Sequence, residues 1–569
     1  MAKTPELLAP CGSPDALDAA LRGGADAVYL GGVMLNARMN ARNFSNDALC
    51  EAVRKCHDRG VKLYVTMNTQ VYDREMNDAL RYAGFLYEAG ADALIVTDVG
   101  LISLLRAYIP ELELHASTQL SGHNAEAAKK LASMGLTRMV CARELSAQDL
   151  KLLCAQSPIE IEMFVHGALC VSHSGQCLLS SVIGGRSGNR GECAQPCRMK
   201  YGNTYPLSLK DSCLAAHIPE ILASGAASLK IEGRMKPPEY VYGVTAAYRR
   251  LLDERRAASP EEIAHMAALF SRGGFTDGYF TGAIDRDMLG VRSEEDKAAS
   301  ARTHTDFRPM PRHAEPIATP ERKASLPEKV ESRCAPHRIE PFCSASFECA
   351  DQIPDNARFD RVYLPLDAYL RAPLPGCDCG VTLPPVITDS ELPEVERKLA
   401  QAYAKGARHA LVGNIGHIEP ARRQGFILHG DFRLNIYNLH AQRFWEEREG
   451  MADTILSPEL TLPQIRDIGG EKAVVVYGYL PVMLLEKKVG TGCLKDRTGA
   501  QFRVLSCGKR DILLNSVPIY MADKQDLIEK AGGYRKHFLF TSETRRDAAA
   551  AVDAYARRLQ PKCQTRRIK

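Results

Sequence analysis

The 569-residue sequence holds a single tryptophan and only 7% aromatic residues, so it offers no obvious platform on which exposed bases could stack. It lacks any run of about 18 apolar residues, which argues against a membrane-spanning helix. The first residues, "MAKTPELLAP", lack the basic segment and long apolar run of a secretory leader. Charge of one sign is scarce as well. Lysine and arginine number 73 against 69 acidic residues, a net +4 that permits a nucleic-acid partner without requiring one. Two catalytic signatures are missing, since there is no HExxH helix for zinc and no GxSxG nucleophile elbow. These absences point to a cytoplasmic protein with no membrane contact, in a compartment where structural disulfides are rare.

What remains is an ordinary globular balance of 45% hydrophobic and 25% charged residues. The chain is too long for one core, so two or more domains are expected. In its first half short apolar runs alternate with amphipathic helical stretches. The runs are "ELLAP", "DAVYLGG", "KLYVTMNT", "ALIVTD", "ELHASTQ", "RMVCARE", "IEMFVHG" and "SLKIEGR". Such alternation implies a parallel sheet, and eight candidates over about 230 residues fit a TIM-like (β/α)8 barrel. A long excursion between the seventh and eighth runs carries a group of cysteines.

Three regions follow. Residues 1–292 form the barrel with its cysteine-bearing excursion. Residues 293–338 are rich in Pro and charge and read as a solvated, partly disordered linker. In 339–569 the layout of the first half recurs: "LHGDFRLNIYN" parallels "LHASTQLSGHN", and "AVVVYGYLPVMLLEKK" stands where "IEIEMFVHGALCVSHS" stood. A second, degenerate barrel-like α/β domain is expected there, a scaffold or substrate platform that keeps at most Cys493 of the cysteines.

In such barrels chemistry sits at the carboxyl ends of the strands. The polar residues ending the runs are Asn68, Asp98, Gln119, Arg143, Glu144, His166, Lys230, Glu232 and Arg234, and "MLNARMNARNFS" adds Arg38, Asn40, Arg42 and Asn43. Arg38, Arg42, Arg143, Lys230 and Arg234 suit a phosphate or carboxylate, with Asn43, Asn68 and Gln119 as further binding residues. Glu144, Glu162 or Glu232 is placed to act as general base and His166 to move a proton. Structural pairing, such as Lys230 with Glu232, is the alternative for each.

The cysteines are Cys170, Cys177, Cys193 and Cys197, separated by six, fifteen and three residues. Zinc ribbons use two close pairs, and only the second pair here qualifies. Thiolates with no histidine at ligand spacing except His173 suit a soft metal or an iron–sulfur cluster.

"ELLAPCGSPDALDAALRGGADAVYLGG", "NARNFS", "FVHGALCVSHSGQCLLSS", "GNRGECAQPCR" and "SLKIEGRMKPPEYV" together closely resemble the peptidase U-32 family, from Glu6 to about Arg250. The resemblance implies two kinds of activity. One is collagenase-like proteolysis, a hydrolase reaction. The other is C5 hydroxylation of a pyrimidine in tRNA or rRNA, or hydroxylation of ubiquinone, by proteins that look like 4Fe-4S carriers. For the RNA-directed reading the resemblance also implies a prephenate-type metabolite as co-substrate. Carried onto this chain, the metal ligands are Cys170, Cys177, Cys193 and, by local supply in "CAQPC", Cys197, with Cys213 in reserve. An RNA pyrimidine hydroxylase is the leading expectation. A thiol peptidase built on Cys170 with His173 or His166 is the first alternative. An electron-transfer or assembly factor is the second, and a partner protein or a second copy of the chain would fit either.

Overall fold

The computed structural model describes residues 4–39, 41–303, 306–311, 314–331, 340–355, 358–372, 378–469 and 472–568. The first domain opens with strands β1 (Glu6–Cys11), β2 (Ala27–Gly31), β3 (Lys62–Met67), β4 (Ala93–Val96), β5 (Glu113–Ala116), β6 (Arg138–Val140) and β7 (Glu160–Gly167). β8 (Asp211–Cys213) lies antiparallel on the end of β7, β9 (Ser228–Ile231) follows, and β10 (Phe275–Thr276) pairs with β8. β1 to β7 are parallel neighbours in sequence order. β9 is parallel to both β7 and β1, with Leu8 opposite Lys230 and Glu162 opposite Ser228, and so closes an eight-stranded barrel. These eight are the runs expected from the sequence. A strand packed on both faces reads as a near-continuous apolar run, and β1, β2 and β4 have no exposed residue. Several helices start where a short polar side chain takes over a free N–H: Ser13 accepts from Ala16, Asp98 from Leu101 and Asn124 from Ala127.

The second domain repeats the plan. β11 (Phe342–Phe347), β12 (Arg361–Pro365), β13 (Cys379–Thr382), β14 (His409–Val412) and β15 (Ile427–Gly430) are parallel in order. β16 (Ala473–Gly478) and β22 (Arg535–Phe540) complete the sheet, β22 lying between β16 and β11. The sixth position has shrunk to Thr454 and Ile455. Thr454 bridges Gly430 and Ile455 bridges Ala473, so the ring still closes. β5 and β15 therefore correspond, as do β7 and β16, in the alignment the sequence gives.

Between β16 and β22 stands a four-stranded antiparallel sheet, β17 (Pro481–Leu485), β18 (Cys493–Lys495), β19 (Gln501–Cys507) and β20 (Arg510–Leu514), followed by β21 (Ile519–Tyr520) against β16. It occupies the slot that holds the cysteine excursion in the first barrel, and the two insertions touch. Ser172 bridges Leu485, and the N–H groups of His173 and Leu178 donate to Leu484 and Val482.

The barrels face each other through matching elements. Asn124 and Asn438 each cap the helix that follows the fifth strand of their own barrel, and each side chain crosses to the other barrel. Gly100 and Gly416 make room for them. A Cβ at Gly100 would stand 2.1 Å from the Asn438 Oδ1, and one at Gly416 would stand 2.3 Å from the Asn124 Oδ1.

The connecting segment departs from the solvated spacer that its composition implies. After a helix at Glu294–Arg302, its described residues lie along the first barrel. Met310 N–H donates to the Arg22 carbonyl, Ile317 N–H to His57, Arg322 to the Ala91 carbonyl, and Val330 N–H to Asn77. Hydrogen-bond partners on successive barrel helices fix a polar backbone that apolar side chains alone would not hold. Fifteen described cysteines are free thiols, whereas Cys379 is disulfide-bonded, a departure from the free-thiol expectation. Among the described residues no helix is long and apolar enough to cross a membrane.

Candidate functional site

The barrel axis is filled from below by charge. Glu6 and Glu162 hold Arg138 at 2.6 and 3.2 Å, and Lys230 pairs with Glu162 at 2.7 Å, both groups being fully enclosed. Burial would raise the Glu162 carboxyl, but Lys230 and Arg138 outweigh it and bring it to about 2. Lys230 therefore pairs with Glu162, not with Glu232. Its ammonium also stands 4.4 Å over the ring of Tyr29. These ion pairs satisfy one another inside a dry barrel, where an unpaired member would be costly.

Above this plug opens a cavity of about 370 Å³. Its lower wall carries Tyr29, Asn68, Gln119, Arg143, Lys230, Glu232 and Arg234, with Arg38 from the loop after β2. Glu232 lies between two guanidinium groups, 3.3 Å from Arg38 and 3.6 Å from Arg143. Burial would lift its carboxyl, yet Arg38, Arg143, Arg234 and Lys230 together hold it below the usual carboxylate range. Arg143 stacks 4.0 Å over Phe164, and Arg234 donates to Thr66 at 2.9 Å. Burial brings Arg234 down to about 10. Asn68 accepts from Ala37 N–H at 3.1 Å and so holds the Arg38 loop against the barrel.

The upper wall is the excursion, and all four cysteines face the cavity. Two glycines let the excursion descend so far. Gly175 and Gly191 have φ of +84° and +82°, and a Cβ on them would meet the carbonyls of Gln119 and Asn36 at 2.1 and 2.4 Å. Arg198 ties the ends of the loop by donating to the Leu169 carbonyl at 3.0 Å and Ser208 at 3.1 Å. Burial pushes the thiols of Cys177 and Cys193 up and that of Cys197 to about 12, and the neighbouring cysteines push the same way. At Cys177, Cys193 and Cys197 burial and the neighbouring thiols oppose ionisation while Arg38 beside Cys193 and Arg198 beside Cys197 favour it, and a bound cation would favour it further. Among the described residues no three His, Cys, Asp or Glu side chains are grouped tightly enough for a single metal ion. Cys213 points elsewhere, 3.9 Å from the Tyr248 hydroxyl and outside the cavity.

Several residues named from the sequence stand off the cavity. His166 is enclosed by Tyr240, Tyr248 and Phe275, and burial takes its imidazole down to about 3. Glu144 is buried behind the wall, with neither oxygen hydrogen-bonded and His173 at 3.6 Å. Burial raises its carboxyl. Asp98 caps a helix, and Arg42 is exposed. Asn43 donates to the carbonyls of Arg38, Met39 and Ala41, shaping the loop rather than facing the cavity. Asn40 lies outside the described residues.

The structure adds residues that the sequence reading did not single out. Arg198, Lys236 and Arg272 also line the cavity. Burial brings the Lys236 amine to about 7, with Asp211 opposing and Arg272 and Arg292 assisting. The signal was proximity: Lys236 follows Arg234 in "EGRMK" and Arg198 follows Cys197. His173, also on the wall, has both nitrogens engaged, one 2.9 Å from His123 and one 3.1 Å from Glu486 of the second domain.

Residues 12–289 and 368–501 match the profile of peptidase family U32. The chain is 40% identical over 292 residues to a protein of Escherichia coli (strain K12) named "23S rRNA 5-hydroxycytidine C2501 synthase", covering 49% of this chain and 43% of that protein. It is 38% identical over 278 residues to "tRNA hydroxylation protein P1" of Bacillus subtilis (strain 168), covering 46% of this chain and 66% of that one. It is also 36% identical over 308 residues to a "Collagenase" of Porphyromonas gingivalis, covering 49% and 73%. The aligned region thus spans less than half of the Escherichia relative and less than two thirds of that from Bacillus.

Proposed function

The chain belongs to peptidase family U32, and from that premise we propose that it is an iron–sulfur protein that hydroxylates C5 of a pyrimidine in tRNA or rRNA. The observation that carries this reading is the convergence of Cys170, Cys177, Cys193 and Cys197 on a cavity lined by Arg38, Arg143, Lys230 and Arg234. Two relatives named for hydroxylation of rRNA and tRNA support the choice of substrate.

Replacing C–H by C–OH is a two-electron oxidation, and since side chains supply neither the oxygen atom nor the electron acceptor, an oxygen-donating co-substrate would have to bring the oxygen and an external acceptor would have to take up the two electrons. A 4Fe-4S cluster supplies one-electron chemistry when bound to four thiolates. The donors fit it: all are sulfur and they line one open space. Cys197 faces that space and Cys213 does not, which supports Cys197 as the fourth ligand. Arg38, Arg143 and Arg234 present planar donors to a carboxylate or phosphate, as a prephenate-type co-substrate or an RNA backbone would require. Glu232, held ionised between Arg38 and Arg143, orients those guanidinium groups at the cavity wall, and its lowered basicity makes it a weak general base.

A thiol peptidase is less well supported. Both nitrogens of His173 are committed to His123 and Glu486, and His166 is sealed among aromatic rings off the cavity.

Purification without oxygen should yield about four irons and four sulfides per chain. Cys→Ser at 170, 177, 193 or 197 should lower both, and Cys213→Ser should leave them unchanged. An iron-free wild-type protein would refute the cluster. In RNA from a strain lacking the gene, mass analysis should find one hydroxylated pyrimidine missing. An unchanged RNA profile beside an intact cluster would favour an electron carrier instead.

A further inference from the structure

Residues 487–509 hold six cations, Lys487, Lys488, Lys495, Arg497, Arg503 and Lys509, against one acid, Asp496, a net +5 where the whole chain carries only +4. The remainder of the chain sums to −1, and its other basic run, residues 557–569 with six cations and no acid, is paired in part, Arg557 with Asp553, Arg558 with Asp526 and Arg567 with Asp523, whereas of the six cations here, on the hairpin of β18 and β19 with its flanking turns, only Lys487 is buried. Cys493 pairs with Arg503 and Lys495 with Gln501, and these four residues are exposed. The intervening pair, Leu494 with Phe502, is buried, and Phe502 meets Tyr201 of the cysteine excursion. Gly202 N–H donates to the Lys495 carbonyl, so the hairpin is fixed beside the cysteine loop by its inner face. Its outer face is left to solvent.

Most of the charges on that face lack an ion-pair contact within the described residues. Asp496 accepts from the N–H groups of Thr498 and Ala500 and closes the turn. Lys495 and Arg497 have no ion-pair partner among the described residues. Lys488 donates to Ser506, and Arg503 donates to Ser542, lies 5.1 Å over Tyr479 and is near enough to Glu543 and Asp547 to favour their charged forms, without an ion-pair contact to either. Lys509 alone meets a carboxylate, Glu391. Like charges gathered without counter-charges repel one another and cost stability, which an external polyanion offsets.

We infer that this hairpin is the docking surface for an RNA strand, whose phosphates it holds beside the cysteine-lined cavity. The inference rests on the proposed RNA reading and specifies which part of the second domain serves it. A lattice of cations on a flat strand pair, with bases left unread, fits backbone binding rather than sequence recognition.

The test uses the full chain and a fluorescein-labelled single-stranded RNA of about 20 nucleotides, with affinity read by anisotropy across a salt series. The variant is Lys488→Gln with Lys495→Gln, Arg497→Gln and Arg503→Gln, all at exposed positions. A control removes four cations from the first barrel: Arg54→Gln, Arg59→Gln, Arg74→Gln and Arg81→Gln. The hairpin variant should bind at least about tenfold more weakly near 0.15 M salt and lose about three from its log–log salt slope, whereas the control should match wild type. Equal losses in both variants, an unchanged slope in the hairpin variant, or equally tight binding of polyglutamate by wild type would each overturn the inference. RNA hydroxylation that survives in the hairpin variant would overturn the surface while sparing the activity. Hairpin-dependent binding with an unmodified RNA pool in wild-type cells would sustain the surface and remove the activity.

Discussion

Asn124 and Asn438 make the same contact from opposite sides. Each accepts the N–H of the third residue of its own helix, Ala127 and Ala441, and each donates across to a main-chain carbonyl of the other barrel, Ile387 and Val71. Asn438 also donates to Asp98. A side chain that caps a helix and bridges an interface loses both on truncation. Asn124→Ala and Asn438→Ala should each cost about 2 kcal/mol in urea unfolding, and the two losses should add, because the sites share no partner.

Two carboxylates complete the matched contacts. Asp73 accepts from Leu439 N–H and Asp389 from Ala125 N–H. Burial raises Asp73 to about 7 and Asp389 to about 6. Their folded-state values lie above those of the unfolded chain, so their contribution to stability is complete below about pH 4 and is lost as pH rises through 6 and 7. Asp73→Asn with Asp389→Asn should therefore gain on wild type between pH 5 and pH 8, on the order of 2 kcal/mol per site. Denaturant midpoints at the two pH values measure this, and a gap that narrows toward pH 8 contradicts it.

Lys236 should be the most reactive amine of the chain at neutral pH. Its value of about 7 leaves a large fraction unprotonated where surface lysines are almost fully charged. Brief treatment with a small acylating reagent at pH 7.5, followed by peptide mapping, should label Lys236 ahead of Lys405 or Lys562. Occupation of the cavity by a carboxylate ligand should slow that labelling.

The barrel strands were legible because each is buried on both faces, so β1 to β7 and β9 appear as apolar runs without any decision about period. The cysteines were legible because one loop carries all four. His166 was misleading for a local reason. It lies two residues beyond Phe164, which lines the cavity, and an undistorted strand would turn both to the same face. The β7 register shifts between them, and the irregularity aims His166 into the aromatic box instead. Thr454 and Ile455, the whole of the sixth strand in the second barrel, carry no apolar run of their own, and only the order of the repeat in "GMADTILSPEL" points to a strand there. The segment before that barrel misled by composition, since Pro and charge also suit a backbone fixed to other elements.

That segment has a mechanical meaning. Its 46 residues could reach roughly 150 Å if drawn out, enough for the two barrels to wander on a loose leash. Instead it is fastened in turn at Arg22, His57, Ala91 and Asn77, and Glu331 at its end meets Arg443 of the second barrel at 3.0 Å. The halves can part only by peeling the cord off one attachment after another, so separation begins at an end and travels, as an opening zip does.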